Sequence, residues 1–430
     1  MRLAIFTLGS RGDVQPYLAL AKQAVNRGHS AVICTGQTFE KLIKENRVEF
    51  AKAESDLMAL LETEEGKDIL NHAGRHIMKT MRYMKEVLNP AYRKSLDQFW
   101  DAAQNADVII YHPKIFGAVD IAVELGIPCI SMPLVPITYP IEEFPNLAVS
   151  PVKSFGKRIN KLTYKLISLG EKSSLKEIND FRVKTLNRNK RKAGEYAYQR
   201  NGADIPIIYP ISKALFPDVK SWKDKVFLPG FYYLDNGNQE LEQSLKDFIA
   251  AGKAPIIISF SSMPLKNPAE FKTKLIAALK ETNNRAIVLT GISGMSFANH
   301  KNILAIPQAP HTLLFPHAKG IVHHGGVGTL ATALKSGKPQ LIIPFSVDQP
   351  FWANRLNKLG YALKPLYEKS LQVQDLVQSF YDMEKSENIA SAKKIKELIE
   401  RERGTDHVID YIESFHQDWI SGSVNRKSIM

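Results

Sequence analysis

The chain has 430 residues, of which 44% are apolar and 23% charged, and it carries a formal net charge of +13. That length exceeds one typical hydrophobic core, so two domains are expected, and the composition is ordinary for a globular protein. No apolar run approaches the ~20 residues that span a bilayer, and the N-terminal MRLAIFTLGS reads as a buried strand rather than a secretory leader. Cys34 and Cys129 sit in separate apolar runs, which supports neither a disulfide framework nor a zinc site and fits a cytoplasmic protein.

The first half alternates strand and helix patterns. Leu3–Leu8 is an apolar run, followed by the loop GSRGDVQP and a helical pattern over Val14–Arg27. Further strands are expected at Ser30–Thr35, Val48–Ala53, Val108–Tyr111 and Cys129–Leu134, with helices near Ala73–Ala103 and Ala118–Leu125. Apolar strands joined by helical crossovers indicate a parallel sheet covered on both faces. In such sheets ligands bind at the carboxyl ends of the strands, so the loop holding Asp13 is expected at a cleft. Asp13 suits two roles there, helix N-cap or catalytic base. The apolar, proline-rich Ser131–Pro140, with Met132, Leu134 and Tyr139, continues from a strand end. Met78, Met81 and Met84 fit either core or an adaptable apolar pocket.

Residues 153–200 hold 14 Lys and Arg against 4 Asp and Glu, which is most of the net charge. Three readings fit: a solvated helical face, a surface for anionic membrane lipids, or nucleic-acid binding. The last lacks any groove-reading helix, RNA-binding aromatic signature or zinc module, so no nucleic acid is expected.

Ile205–Tyr209 and Val226–Leu228 read as further strands, and Asp235–Gln239 as a polar linker. A second alternating series follows. Its strands are Pro255–Phe260, Ala286–Leu289, Ile303–Ile306, Gly320–His323 and Gln340–Pro344. Its helices are Ala269–Glu281, Thr329–Ser336, Pro350–Lys358, Leu371–Met383 and Ile389–Arg403. The expected division is 1–235, 236–400 and a tail at 401–430.

The stretch Ile321–Trp352, IVHHGGVGTLATALKSGKPQLIIPFSVDQPFW, is the most specific part of the chain. Gly325, Gly326 and Gly328 allow backbone N–H groups to approach a phosphate, and the helix after them points its positive end at it. Thr329 adds a hydroxyl at that helix start. Strand alternation puts His323 and His324 on opposite faces, so only one can face a ligand. Asp348 and Gln349 follow the next strand, where they suit sugar hydroxyls; Asp348 also suits a helix N-cap.

These residues resemble the donor-binding signature of family 1 glycosyltransferases, which use UDP- or dTDP-sugars. The pattern is most similar to the sterol and lipid glucosyltransferase branch, where HHGG-x-GT precedes P-F-x-x-DQPFW. GSRGDVQP is similar to the opening of the same branch and of antibiotic-modifying glycosyltransferases. The resemblance implies the GT-B architecture, two Rossmann-like α/β domains facing across a cleft. It implies Asp13 as the base, His324 as a phosphate contact, and Asp348 and Gln349 as sugar contacts. Phe260-Ser261-Ser262-Met263 resembles the family's F-G-S-M, which makes Ser262 a phosphate contact. Leu313 stands where related chains carry a nucleobase-side Trp. No Asp-x-Asp triplet occurs, so neither metal nor other cofactor is expected. The implied reaction is transfer of a hexose from a nucleotide-sugar to an apolar small-molecule acceptor, with inversion. Ser131–Pro140 resembles the sterol branch's M-P-W-T segment, which implies Met132, Leu134 and Tyr139 as acceptor contacts, and the architecture implies a tail that crosses back to the first domain. Two alternatives are a nucleotide-sugar epimerase of the same fold and a non-catalytic membrane-binding protein.

Overall fold

The computed structural model describes residues 1–56, 59, 81–234, 237, 239–260, 265–291, 293–297 and 300–423. Ser262, Met78 and the expected domain boundary at 235/236 lie outside them. Two parallel sheets organise the chain. The first comprises β1 (Arg2–Phe6), β2 (Ser30–Gly36), β3 (Glu49–Ala53), β4 (Val108–Tyr111), β5 (Cys129–Ser131), β6 (Ile207–Ile208) and β7 (Val226–Phe227), in the order β3-β2-β1-β4-β5-β6-β7. The second comprises β8 (Ile256–Ser259), β9 (Ala286–Leu289), β10 (Ile303–Ile306), β11 (Gly320–His323) and β12 (Gln340–Ile342), in the order β10-β9-β8-β11-β12. This is the expected pair of Rossmann-like α/β domains.

Each sheet reverses its strand order beside its first strand, and those switch points face the cleft. There α1 (Arg11–Asn26) starts after β1, and α4 (Val327–Ser336) starts after β11. Between them in sequence lie α2 (Lys157–Thr163) and α3 (Ile167–Lys172), and beyond them α5 (Gln349–Lys358) and α6 (Gly404–Ser421).

Several expected boundaries move. α1 begins at Arg11 rather than Val14, because Ser10 is the N-cap and Asp13 sits one turn in. β5 ends at Ser131, ahead of Pro133, which has no N–H for a ladder. The helix Gln243–Ala250 was not expected. Of the helical region over Ala73–Ala103, the described part contains a π-turn at Met84–Leu88 and a helix at Asn89–Ala103. Met81 is 66% exposed, so it is not core.

A cluster of buried side chains joins the domains. Phe144, Phe216 and Trp222 from the first meet Phe351 and Trp352 from the second, with ring centroids 4.9 Å apart for Phe144–Phe351 and 5.9 Å for Phe216–Trp352. The Arg355 guanidinium lies 4.3 Å over the Phe216 ring, bonds the Leu215 carbonyl and pairs with Asp218. Glu402 adds a buried link, accepting from Ser212 Oγ at 2.8 Å and the Lys213 N–H at 3.1 Å.

The final helix, α6, packs on α1. Val408, Ile409 and Ile412 are fully buried with Leu3, Ile5 and Leu18. At the rim Arg27 bonds Asp410 at 2.9 Å and Glu413 at 3.0 Å, and His29 meets Glu413 at 2.8 Å. Apolar burial therefore dominates this attachment, since exposed ion pairs contribute little. Ile409→Ala is expected to cost about 2–5 kcal/mol, read as a lower urea midpoint. Arg27→Ala should leave the midpoint nearly unchanged; the reverse ranking would contradict this packing.

Candidate active site

The N-terminal part of the site is built around Asp13. Gly9, at φ +139°, has no room for a side chain: a Cβ there would lie 2.3 Å from Asp13 Oδ2. That vacancy lets the Asp13 carboxylate fold back over the helix start. Oδ2 accepts from the Ser10 N–H at 2.8 Å and from Ser10 Oγ at 2.9 Å. Oδ1 accepts from Lys114 Nζ at 2.9 Å, and His112 Nε2 stands 3.7 Å away. His112 Nδ1 accepts the Lys114 backbone N–H at 3.1 Å, which fixes the ring proton on Nε2, facing Asp13. Asp13 is therefore not the N-cap; it closes a capping box from the third helical position.

These neighbours set its charge. Burial acts to raise the Asp13 pKa, but Lys114, then His112 and the Ser10 N–H, outweigh it and hold the carboxyl below its ordinary value. His112 is pushed down to about 3, by burial and then by Lys114. Lys114 and His112 were not singled out from the sequence. The available signal was positional: both follow β4, the strand paired with β1.

The C-terminal part is built on the start of α4, and its three glycines have three different reasons. Gly325, at φ +90°, takes a conformation that other residues resist, and a Cβ there would lie 2.8 Å from Ile342. Gly326 makes room for His324, whose Nε2 would lie 2.4 Å from an added Cβ. Gly328 has nothing within 4 Å of an added Cβ among the described residues, so packing does not require it. Thr329 is buried in the first turn, and the N-cap Gly326 supplies no side chain to satisfy the helix N–H groups. The helix start thus keeps donors and the positive end of its dipole available for an anion.

The two histidines divide as strand alternation requires. His323 is fully buried; its Nε2 meets Gln340 Oε1 at 2.8 Å and its Nδ1 accepts the Gly325 N–H at 3.1 Å. It shapes the turn. His324 is buried too, and its Nδ1 has no hydrogen-bond partner among the described residues. Burial lowers the His324 pKa to about 4, with the Ser259 backbone acting in the opposite sense. His311 stacks on Phe315 at 4.5 Å and bonds Ser259 Oγ at 3.0 Å; burial, then His324 and Arg11, lower it to about 4. Leu313 is half-buried.

Asp348 and Gln349 sit after β12. Asp348 occupies the N-cap position of α5 but caps nothing; its Oδ2 accepts Trp352 Nε1–H at 2.8 Å. Burial raises its pKa, the Trp352 bond offsets part of this, and Asp13 adds to the rise from across the cleft. Gln349 Oε1 accepts the Phe345 and Ser346 N–H groups at 2.9 and 3.3 Å, which leaves its amide NH₂ as the free donor end. Val347, just before them, is 74% exposed at φ +58°. A β-branched residue rarely takes that conformation, and such strain concentrates at functional sites.

The structure thus brings Asp13 together with Lys114 and His112, puts Asp348 within reach of the Asp13 charge, and sets His311 beside His324. The acceptor residues expected from sequence fare differently. Met132 is fully buried and its carbonyl accepts the Tyr17 hydroxyl, so it is core and not a lining residue. Leu134 is half-buried against the same core. Tyr139 lines a cavity of about 730 Å³ whose walls include neither Asp13 nor Asp348. Among the described residues no group of three or more His, Cys, Asp or Glu is arranged to hold a metal ion.

Comparison with known proteins identifies the family. Residues 3–138 match the glycosyltransferase family 28 N-terminal domain, and residues 277–398 match the C-terminal domain of erythromycin biosynthesis protein CIII-like proteins. A sterol 3-beta-glucosyltransferase of Arabidopsis thaliana is 30% identical over 426 residues, which is 97% of this chain and 68% of that protein. An O-mycaminosyltylonolide 6-deoxyallosyltransferase of Streptomyces fradiae is 26% identical, covering 96% of this chain and 97% of its own. Other relatives are much longer: the chain spans 27% of the sterol 3-beta-glucosyltransferase of Neurospora crassa. The fold matches the glycosyltransferase VinC, solved in complex with dTDP, at a TM-score of 0.65 and 16% identity, over 97% of this chain and 100% of that one. By these matches along nearly its whole length, the chain belongs to the GT-B glycosyltransferase family that includes the sterol 3-beta-glucosyltransferases and the antibiotic glycosyltransferases.

Proposed function

We propose that this protein is an inverting glycosyltransferase that moves a hexose, glucose from UDP-glucose, to a hydroxyl of an apolar acceptor such as a sterol or triterpenoid, a lipid or a phenolic natural product. The observation that carries the reading is that the charge of Asp13 in the first domain reaches Asp348 in the second, whose helix α4 starts uncapped. The family membership supports it. Nothing in the site or among the relatives favours the epimerase or the non-catalytic alternative.

In this reading the diphosphate sits at the start of α4, over Gly326 and Gly328, with Thr329 and His324 as side-chain contacts. Ser262 belongs to the same contact set by its motif. Asp348 and the NH₂ of Gln349 hold sugar hydroxyls. The acceptor oxygen attacks the anomeric carbon as the bond to the diphosphate breaks, and its proton passes to Asp13. A positioned base of this kind contributes typically 10²–10⁴-fold. Negative charge develops on the departing diphosphate, where fixed N–H donors stabilise it without reorganising. No metal is assigned a part.

Lys114 gives the base an unusual setting. Its ammonium occupies Oδ1, the oxygen left over once Ser10 has taken Oδ2. The acceptor hydroxyl must share or displace that contact. Asp13 stays ionised below the ordinary carboxylate range, at some loss of basicity.

Replacing Asp13 by Asn should lower kcat by roughly 10²–10⁴-fold while UDP binding by calorimetry is unchanged. Full turnover in this variant would overturn the assigned base. Because the base form is required and Lys114 lowers its pKa, Lys114→Met should move the acid limb of the kcat/KM profile to higher pH. An unmoved limb would remove Lys114 from this role.

The glycines separate donor contact from folding. Gly328→Ala should leave the melting temperature within error and raise the donor KM at least about tenfold, the scale of one lost phosphate contact. Gly326→Ala, by displacing His324, should disturb both. An unaltered donor KM in Gly328→Ala would place the diphosphate elsewhere.

A further inference from the structure

The basic segment divides in two. Its later part turns cations inward: Arg182 and Arg191 are buried against Asp120, and Arg191 also bonds Glu171. Its earlier part does the opposite. Seven of the thirteen exposed large apolar side chains of the described chain fall within 149–169, namely Val149, Val152, Phe155, Ile159, Leu162, Leu166 and Leu169. They are 38–59% exposed, a concentration that scattered surface residues do not produce.

Geometry makes a single surface of the last four. α2, a 3₁₀ turn at Tyr164–Leu166 and α3 follow one another without a break. At about 100° per residue, Ile159, Leu162, Leu166 and Leu169 lie within an arc of roughly 80°. Asn160, Thr163 and Tyr164 occupy the buried face. Lys157, Arg158, Lys161, Lys165 and Lys172 occupy the remaining flank, and Lys153 precedes the helix; all six are exposed. None of the six forms an ion pair with a carboxylate among the described residues. The acid in the stretch, Glu171, is buried and committed to Arg191 and the Gly194 N–H.

Beside this face lies the cavity of about 730 Å³ that Tyr139 lines. Lys157 and Lys161 form one wall and Lys220 and Lys223 another. Glu142 and Glu143 line it as well, and Glu143 Oε1 is taken by the Lys220 and Ser221 N–H groups.

We propose that the face formed by residues 149–172 docks on the surface of an anionic lipid bilayer. The Ile159, Leu162, Leu166 and Leu169 stripe enters the headgroup boundary, the flanking lysines lie against lipid phosphates, and the lysine-walled cavity takes a headgroup. An amphipathic helix lying in the plane of the interface has this division of faces, and clustered cations near anionic lipid add to the attraction. Charge argues against a second copy of the chain, since six unpaired cations would meet six others. A nucleic acid would leave the apolar stripe in water. The proposal is independent of the donor chemistry.

The test is co-sedimentation of the full chain with vesicles of three parts phosphatidylcholine to one part phosphatidylglycerol, and with phosphatidylcholine alone, at about 0.1 M and about 1 M salt, where screening differs threefold in range. Binding is expected to the anionic vesicles and to fall at least tenfold in high salt. The variant Ile159→Ser/Leu162→Ser/Leu166→Ser/Leu169→Ser and the variant Lys157→Glu/Lys161→Glu/Lys165→Glu should each lose at least tenfold. Melting temperature and turnover of a water-soluble phenolic acceptor should be unchanged in both. Equal binding by wild type and the charge-reversed variant would overturn the proposal. So would no vesicle binding, whether accompanied by self-association that the serine variant abolishes, by RNA binding, or by neither.

Discussion

The whole site hangs on the aromatic seam between the two domains. Neither sheet holds a complete proposed site: the candidate base follows β1 of the first, and His324, Thr329, Asp348 and Gln349, the proposed donor contacts, follow β11 and β12 of the second. Phe144, Phe216 and Trp222 packed on Phe351 and Trp352 fix the distance between these two sets, and Arg355 fastens the seam by stacking on Phe216 and pairing with Asp218. Trp352 does this while its indole N–H holds Asp348. One side chain thereby belongs both to the seam between the domains and to the contact that holds the proposed sugar-binding carboxylate. Disturbing the seam would misplace Asp348 even if the second domain stayed folded.

Burial gives the cleft its electrostatic character. His112, His311, His323 and His324 are all driven to low pKa values and are neutral near pH 7. The two carboxylates facing each other move in opposite directions. Asp13 is held down by a cation and donors, while Asp348 is raised by burial and has the Trp352 N–H as its partner. In the proposed donor site the start of α4 offers N–H groups without a side-chain cap, and His324 Nδ1 has no hydrogen-bond partner among the described residues.

Much of the fold was legible because parallel strands buried on both faces are short apolar runs. Val108–Tyr111, Ala286–Leu289, Ile303–Ile306 and Gly320–His323 coincide with their expected limits for that reason. Strand ends were less legible where Pro133 or Pro344 closes an apolar run that outlasts the ladder. In the site, the glycine turn and the division of His323 from His324 follow from local spacing alone. Lys114 and His112 do not, because they lie about a hundred residues from Asp13 and meet it only through the pairing of β1 with β4. Met132 misled because an apolar residue in a loop-like proline run reads the same whether it lines a pocket or seals a core. The basic segment was legible only as a charge excess, since composition does not distinguish a buried Arg191 from an exposed Lys157.

A single displacement with Asp13 as the proposed base and no covalent intermediate inverts the anomeric carbon. The most direct measurement is the anomeric configuration of the product formed from α-linked UDP-glucose, read by proton NMR. The account predicts a β-linked product. An α-linked product would require a second displacement or a front-face reaction, and would contradict the role assigned to Asp13.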